Sequence, residues 1–135
     1  MDGMRRQVNA RGKRGAGGLR VAVIGSRGLS VPNLEQYLPE GTGEIVSGGA
    51  RGVDASARRF ALAHAIKLTE FLPEYSKYGR GAPLRRNITI IEHADLVLAF
   101  WDGRSRGTRF VIDKCHAMNV PVRIFLADGP LFREI

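Results

Sequence analysis

Cysteine is almost missing from this chain: Cys115 stands alone among 135 residues. A single thiol builds no disulfide framework and suits a reducing compartment. Long apolar runs are missing too, and none approaches the roughly 18 residues of a membrane span. The N-terminus lacks the apolar stretch of a secretory signal, so a cytoplasmic protein is expected. Metal-ligand spacing is absent: His64, His93, His116 and Cys115 are scattered, and the adjacent Cys115 and His116 would point about 100° apart on a helix. No metal site is expected. Ser26 and Ser47 have no sequence-evident histidine partner, so no nucleophile–base pair stands out.

What is present is ordinary globular material, 44% hydrophobic and 25% charged, of a length that suits one domain. A chain of this size can bury roughly two-thirds of its unfolded surface without a disulfide or a metal. The net charge is +8, and half of that excess sits before residue 19. Arg5, Arg6, Arg11, Lys13 and Arg14 oppose only Asp2 there, among glycines and almost no large apolar residue. Residues 1–18 read as a flexible basic tail. The alternative is a nucleic-acid-binding arm, a weaker reading because short basic runs carry little specificity. Residues 19–135 are the expected folded domain.

Apolar runs and glycine stops order that domain. Leu19–Ile24, Glu44–Ser47, Ile66–Phe71, Leu96–Phe100 and Val120–Leu126 read as strands. Val31–Leu38, Val53–Ala65, Ala82–His93 and Thr108–Met118 read as helices. Leu72–Gly81 reads as a loop, and Asp128 onward as a short tail. The clearest helix puts Val53, Ala57, Phe60, Ala61 and His64 on one face, with His64 expected in the core. Leu84, Ile88 and Ile91 share a face of the third helix. Strict β-α alternation implies a parallel sheet covered on both faces. The expected fold is a Rossmann-like three-layer α/β/α domain with a five-stranded parallel sheet, order 3-2-1-4-5.

Ligands bind such sheets beyond the carboxyl ends of the strands, where the order reverses. The loops at that edge are all unusual: Gly25-Ser26-Arg27-Gly28, then Ser47-Gly48-Gly49-Ala50-Arg51-Gly52, then Asp102-Gly103-Arg104-Ser105-Arg106-Gly107-Thr108. Glycine lets the backbone approach a ligand, and the amides at a helix start favour an anion. The hydroxyls and arginines complete what reads as a phosphate cradle. The second loop lacks the Gly-Lys-Ser/Thr ending of a P-loop. It also departs from G-x-G-x-x-G, because Ser47 holds the first glycine position. Glu70 falls near where a ribose-binding acid would stand in a dinucleotide fold, though in the wrong βα unit.

Several candidates have more than one reading. Asp54 caps the start of a helix, or it binds a ligand ribose or serves catalysis. Asp102 holds a ligand hydroxyl, acts as a base, or fixes its own loop as an Asx-turn. Trp101 stacks on a base or packs at the sheet edge. Tyr75, Lys77, Tyr78 and Arg80 form a lid or an interface.

These loops, with Arg86-Asn87 and the run from Ala94 to Thr108, resemble the SLOG superfamily, and most of all its small YspA-like members. Ile24–Arg27 and Ile45–Asp54 are also similar to the nucleotide-binding domain of the DNA-processing protein DprA. The resemblance covers roughly Leu19 to Phe125. It implies a Rossmann-like fold, a nucleotide-derived ligand, sensing or signalling roles and self-association. The residues it implies for the site are Gly25, Ser26, Arg27, Ser47, Gly48, Gly49, Arg51, Gly52, Asp54, Arg86, Asn87, Trp101, Asp102, Ser105, Gly107 and Thr108. The LOG-type hydrolases of the superfamily carry Pro-Gly-Gly-x-Gly-Thr followed by a catalytic glutamate. Here Arg109-Phe110 follow Thr108, and no carboxylate stands in that place. A ligand-binding module is therefore expected ahead of an N-glycosidic hydrolase, which would need Asp102 or Glu70 as a substitute. DprA-like nucleic-acid binding is the other alternative.

Overall fold

The computed structural model describes residues 17–135. The expected tail therefore lies, but for Gly17 and Gly18, outside the described residues. Those two glycines pack into the fold: a Cβ on Gly18 would meet the Gly41 carbonyl, and one on Gly43 would strike that of Gly17.

Six strands form one sheet: β1 Leu19–Gly25, β2 Thr42–Ser47, β3 Lys67–Glu70, β4 Leu96–Trp101, β5 Val122–Asp128 and β6 Leu131–Glu134. Their order is β3-β2-β1-β4-β5-β6. The first five pair in parallel. The expected order thus appears with one correction, a sixth strand running antiparallel to β5. The supposed tail turns back because Gly129 adopts φ +62° between the paired Asp128 and Leu131, a two-residue hairpin with glycine in the first central position.

Helices α1 (Val53–Ala63), α2 (Tyr75–Tyr78), α3 (Ala82–His93) and α4 (Arg106–Ala117) connect the strands. The expected helix over Val31–Leu38 shrinks to a 3-10 turn at Leu34–Gln36. Pro32 and Pro39 bracket a stretch too short for a stable α-helix. Leu72–Gly81, expected as a loop, contains the single turn of α2 and a second 3-10 turn.

Alternation along the central strands divides the core in two. Ala22, Ile24, Val46, Val97 and Ala99 face α3 and α4, where Ile90, Ile91, Val111, Ile112 and Cys115 meet them. Val21, Val23, Ile45, Leu98 and Phe100 face the opposite way, onto Leu34 and α1 residues Val53, Ala57 and Ala61. Two side-chain placements differ from the sequence reading. His64 is exposed at the end of α1, stacked 4.0 Å from the Phe60 ring. Of the face read through Leu84, Ile88 and Ile91, Ile91 is fully buried and Leu84 is 43% exposed, with Ala82 and Ile90 completing the buried stripe of α3. Cys115 is buried, which pushes its thiol up to about 12 and leaves it inert at neutral pH.

β6 contributes to the core through one residue. Phe132 meets Phe100 edge-on at 5.1 Å, and Tyr37 meets Phe100 at 5.2 Å and Phe125 at 4.9 Å. Because Phe132 is only partly buried, Phe132→Ala is expected to cost about 2 kcal/mol, below the usual range for a core phenylalanine. Thermal unfolding should show a fall of roughly 6–10 °C in Tm. A change under 2 °C would mean that the sixth strand adds nothing to stability.

Candidate functional site

The order reverses between β1 and β4, and a cleft of about 460 Å³ opens beyond their carboxyl ends. Its walls come from three loops and from the first turns of α1, α3 and α4. Gly25, Ser26, Arg27, Gly48, Asp54, Arg86, Asn87, Asp102, Ser105, Gly107 and Thr108 all line it. These are residues far apart in sequence that the topology gathers at one edge.

Hydroxyl groups fasten the first loop to the third. The Ser26 amide donates to the Phe100 carbonyl at 3.0 Å. Its Oγ accepts the Asp102 amide at 3.1 Å and lies 2.7 Å from Ser105 Oγ. Ser105 in turn donates to Thr108 Oγ1 at 3.1 Å. Such bonds contribute about 1 kcal/mol each. Together they hold the start of α4 against the end of β1. Gly107 is exposed and has nothing within 4 Å of where a Cβ would stand, so its flank of the helix start is open space. No acidic residue occupies the first turn of α4.

Backbone contact fastens the first loop to the second. Gly52 adopts φ +75°, and a Cβ there would lie 2.4 Å from the Arg27 carbonyl oxygen. Arg86 then ties the second loop to α3. Its Nη1 donates to the carbonyls of Gly48 at 2.7 Å and Phe71 at 3.1 Å, and its Nε donates to Asn87 Oδ1 at 2.9 Å. Burial pulls the Arg86 pKa down while Asp54 opposes the shift. The guanidinium stays charged. Asp54 is 7% exposed, and its Oδ2 accepts the Ala50 amide at 3.1 Å. Burial raises its pKa against the pull of that amide and of Arg86.

The remaining candidates lie elsewhere. Ser47 is fully buried beneath the second loop. Gly49 turns toward Leu72 and Glu70, away from the cleft. Arg51 is exposed but lines no part of the cleft. Gly52 is consumed in the contact with Arg27. Trp101 donates its Nε1 proton to the Ser105 carbonyl at 3.1 Å, bracing the third loop from behind. Glu70 lines a separate hollow of about 550 Å³ on the far side of Arg86, where it pairs with Arg58 at 2.8 Å. Tyr78 lines the same hollow, with the Arg85 guanidinium 4.7 Å from its ring centre, and Tyr75 is exposed.

Asp102 is at the cleft, but its Oδ1 accepts the amides of Arg104 at 2.8 Å and Ser105 at 2.7 Å. Those two bonds, with Ser105 first, hold its pKa below the usual carboxylate range. The Asx-turn reading describes this geometry. Asp102→Ala should therefore weaken the protein by about 1 kcal/mol at pH 7. A depressed folded pKa gives stability above the unfolded value of roughly 3.9, and that stability is lost as pH falls through the folded value. Urea unfolding at pH 7 and pH 3 should show the gap between wild type and variant narrowing in acid. A gap that widened would contradict the assignment.

Sequence reasoning missed Pro83 and Leu84, which line the cleft from the first turn of α3. The available signal was position: a helix that begins at the carboxyl edge turns its first residues to the site. Among the described residues no three His, Cys, Asp or Glu side chains cluster closely enough to hold a metal. No described helix is long and apolar enough to cross a membrane.

No protein-family profile and no solved structure matches the chain. It is 36% identical over 92 residues to the Gene 61 protein of Mycobacterium phage D29, an alignment spanning 64% of this chain and 73% of the phage protein. With that identity over most of the relative's length, the chain belongs to the family of this phage Gene 61 protein.

Proposed function

We propose that the cleft binds a nucleotide or nucleotide derivative through its phosphate, and that the protein is a ligand-binding or sensing module. The observation that carries this reading is the clasp between the first and third loops. It sets Arg27 and the start of α4, whose first turn holds no acid, on one cleft at the reversal of strand order. A helix start offers unpaired amides and the positive end of a dipole, which suit a phosphate. The volume falls within the usual range for small-molecule sites, roughly 300–1,000 Å³. Arg27 is exposed at the rim, where a guanidinium can fork onto phosphate oxygens. Pro83 and Leu84 add apolar surface beside these polar groups.

The test is thermal unfolding against a panel of nucleoside mono- and diphosphates, cyclic nucleotides and ADP-ribose. At 100-fold excess over Kd, a bound ligand stabilises by about 2.7 kcal/mol. At least one compound should raise Tm by several degrees, and Arg27→Ala should reduce that rise. No shift with any member of the panel would end the reading.

A further inference from the structure

We propose that Asp54 reserves the second loop of the cleft for an uncharged, hydroxyl-bearing part of the ligand and bars a phosphate from it. This rests on the reading that the cleft takes a phosphate-bearing ligand. Two helices of eleven and twelve residues begin at the cleft, α1 and α4. A glycine-rich turn leading into a helix normally presents its amides to an anion. At α4 the first turn holds no acid, and the carboxylate just before it, Asp102, accepts the loop amides of Arg104 and Ser105 from an exposed position where water screens its charge. At α1 the position is already taken. Asp54 sits in the first turn, and its carboxylate accepts the Ala50 amide at 3.1 Å. A Cβ placed on Gly48 would lie 2.7 Å from Arg86 Nη1 and 3.1 Å from the same Oδ2, so the carboxylate stands under the glycine turn beside the guanidinium whose pull on an anion it offsets.

An anion settling over Gly48–Ala50 would meet this charge on the amide it needs. Asp54 is more than nine-tenths buried, so water screens the repulsion poorly. Beside it, Asn87 has its Oδ1 fixed, because Arg86 Nε can only donate. The Asn87 amide group is thereby left as the donor. An ionised carboxylate that only accepts and an amide that donates both line the cleft. A hydroxyl donates and accepts, and matches the pair; a phosphate dianion only accepts. The sugar of a nucleotide is the part with that chemistry. Its phosphate then lies toward Arg27 and Thr108.

The experiment is a sulfate titration of the full chain at pH 8, followed by amide resonances in wild type, Asp54→Asn and Asp54→Ser. Sulfate keeps its double charge at that pH. In wild type it should move Gly107 and Thr108 and leave Gly48, Gly49 and Ala50 in place. In both variants the second-loop amides should respond, with an apparent Kd at least tenfold below any wild-type response there. Ribose 5-phosphate should bind wild type about tenfold better than its 2,3-dideoxy analogue, and Asp54→Ser should lose that preference. Second-loop amides that move in wild type, or stay unmoved in both variants, overturn the proposal, as does equal binding of the two sugars or none. If Gly107 and Thr108 stay still while the variants open the second loop, the phosphate reading fails and the anion barrier at Asp54 stands.

Discussion

Replacing Gly52 with alanine is expected to destabilise the protein by about 3 kcal/mol and to abolish binding in the cleft. Two independent penalties meet there. The backbone at φ +75° and ψ −124°, a region open essentially to glycine, costs a residue with a Cβ roughly 1–3 kcal/mol. The Cβ itself would lie 2.4 Å from the Arg27 carbonyl oxygen and 2.8 Å from the Arg27 Cα. Those are backbone atoms, which cannot swing aside as a side-chain tip can. Relief requires the first and second loops to part, and the cleft exists because they meet. Gly28→Ala is the matched control, since it lies on the first loop of the same cleft with nothing within 4 Å and no unusual φ. It should change Tm by less than 2 °C. Equal effects of the two substitutions in thermal unfolding would mean that the loop contact is not what holds the cleft.

Arg86→Met should be comparably damaging, at about 3 kcal/mol. It strips two carbonyls, of Gly48 and Phe71, of their shared donor. Each under-satisfied buried acceptor costs about 1–3 kcal/mol. It also removes the positive charge that restrains the raised pKa of Asp54. A carboxyl whose folded pKa exceeds its unfolded value favours the folded state in acid and costs stability once both states ionise. The loss in Arg86→Met should therefore be larger at pH 7 than at pH 4.5. Arg86→Lys should recover only part of the stability. One ammonium cannot reproduce the guanidinium fork that serves Gly48, Phe71 and Asn87 from a single plane. Chemical denaturation at the two pH values checks both statements. A pH-independent loss would separate Arg86 from Asp54.

The contrast between these two residues shows what was legible in the sequence. The central strands were plain, because β4 is an unbroken apolar run, β1 is one but for Arg20, and they are ended by Asp102-Gly103 and by Gly25. Their strand order then fixed which loops would share an edge. β6 was not legible: four residues with one buried contact, Phe132, give almost no period-2 signal. Val31 and Leu34 are buried as an amphipathic helix would bury them, but a 3-10 turn meets the same i, i+3 spacing. In α3 the spacing of Leu84, Ile88 and Ile91 is helical. Periodicity alone does not say which of two adjacent apolar stripes meets the sheet and which meets the cleft.

The glycines carry the sharper lesson for the site. Gly25 and Gly52 permit backbone to touch backbone, whereas Gly28 and Gly107 open onto free space. As letters in a loop these are identical. Only the path of neighbouring strands separates a glycine that packs from one that admits a ligand. The same holds for carboxylates. Asp54, Glu70 and Asp102 all stand at or beyond strand ends on the same edge, yet one underlies the second loop, one pairs with Arg58 and one braces its own turn.

The central claim is that a nucleotide phosphate seats between the first loop and the start of α4. Crystals grown with AMP or ADP-ribose test it most directly. Difference density should place a phosphate about 3 Å from the Gly107 and Thr108 amides, with Arg27 folded onto it and the sugar beside Asp54 and Asn87. Ligand density in the hollow beside Glu70 and Tyr78, with the cleft vacant, would contradict the account.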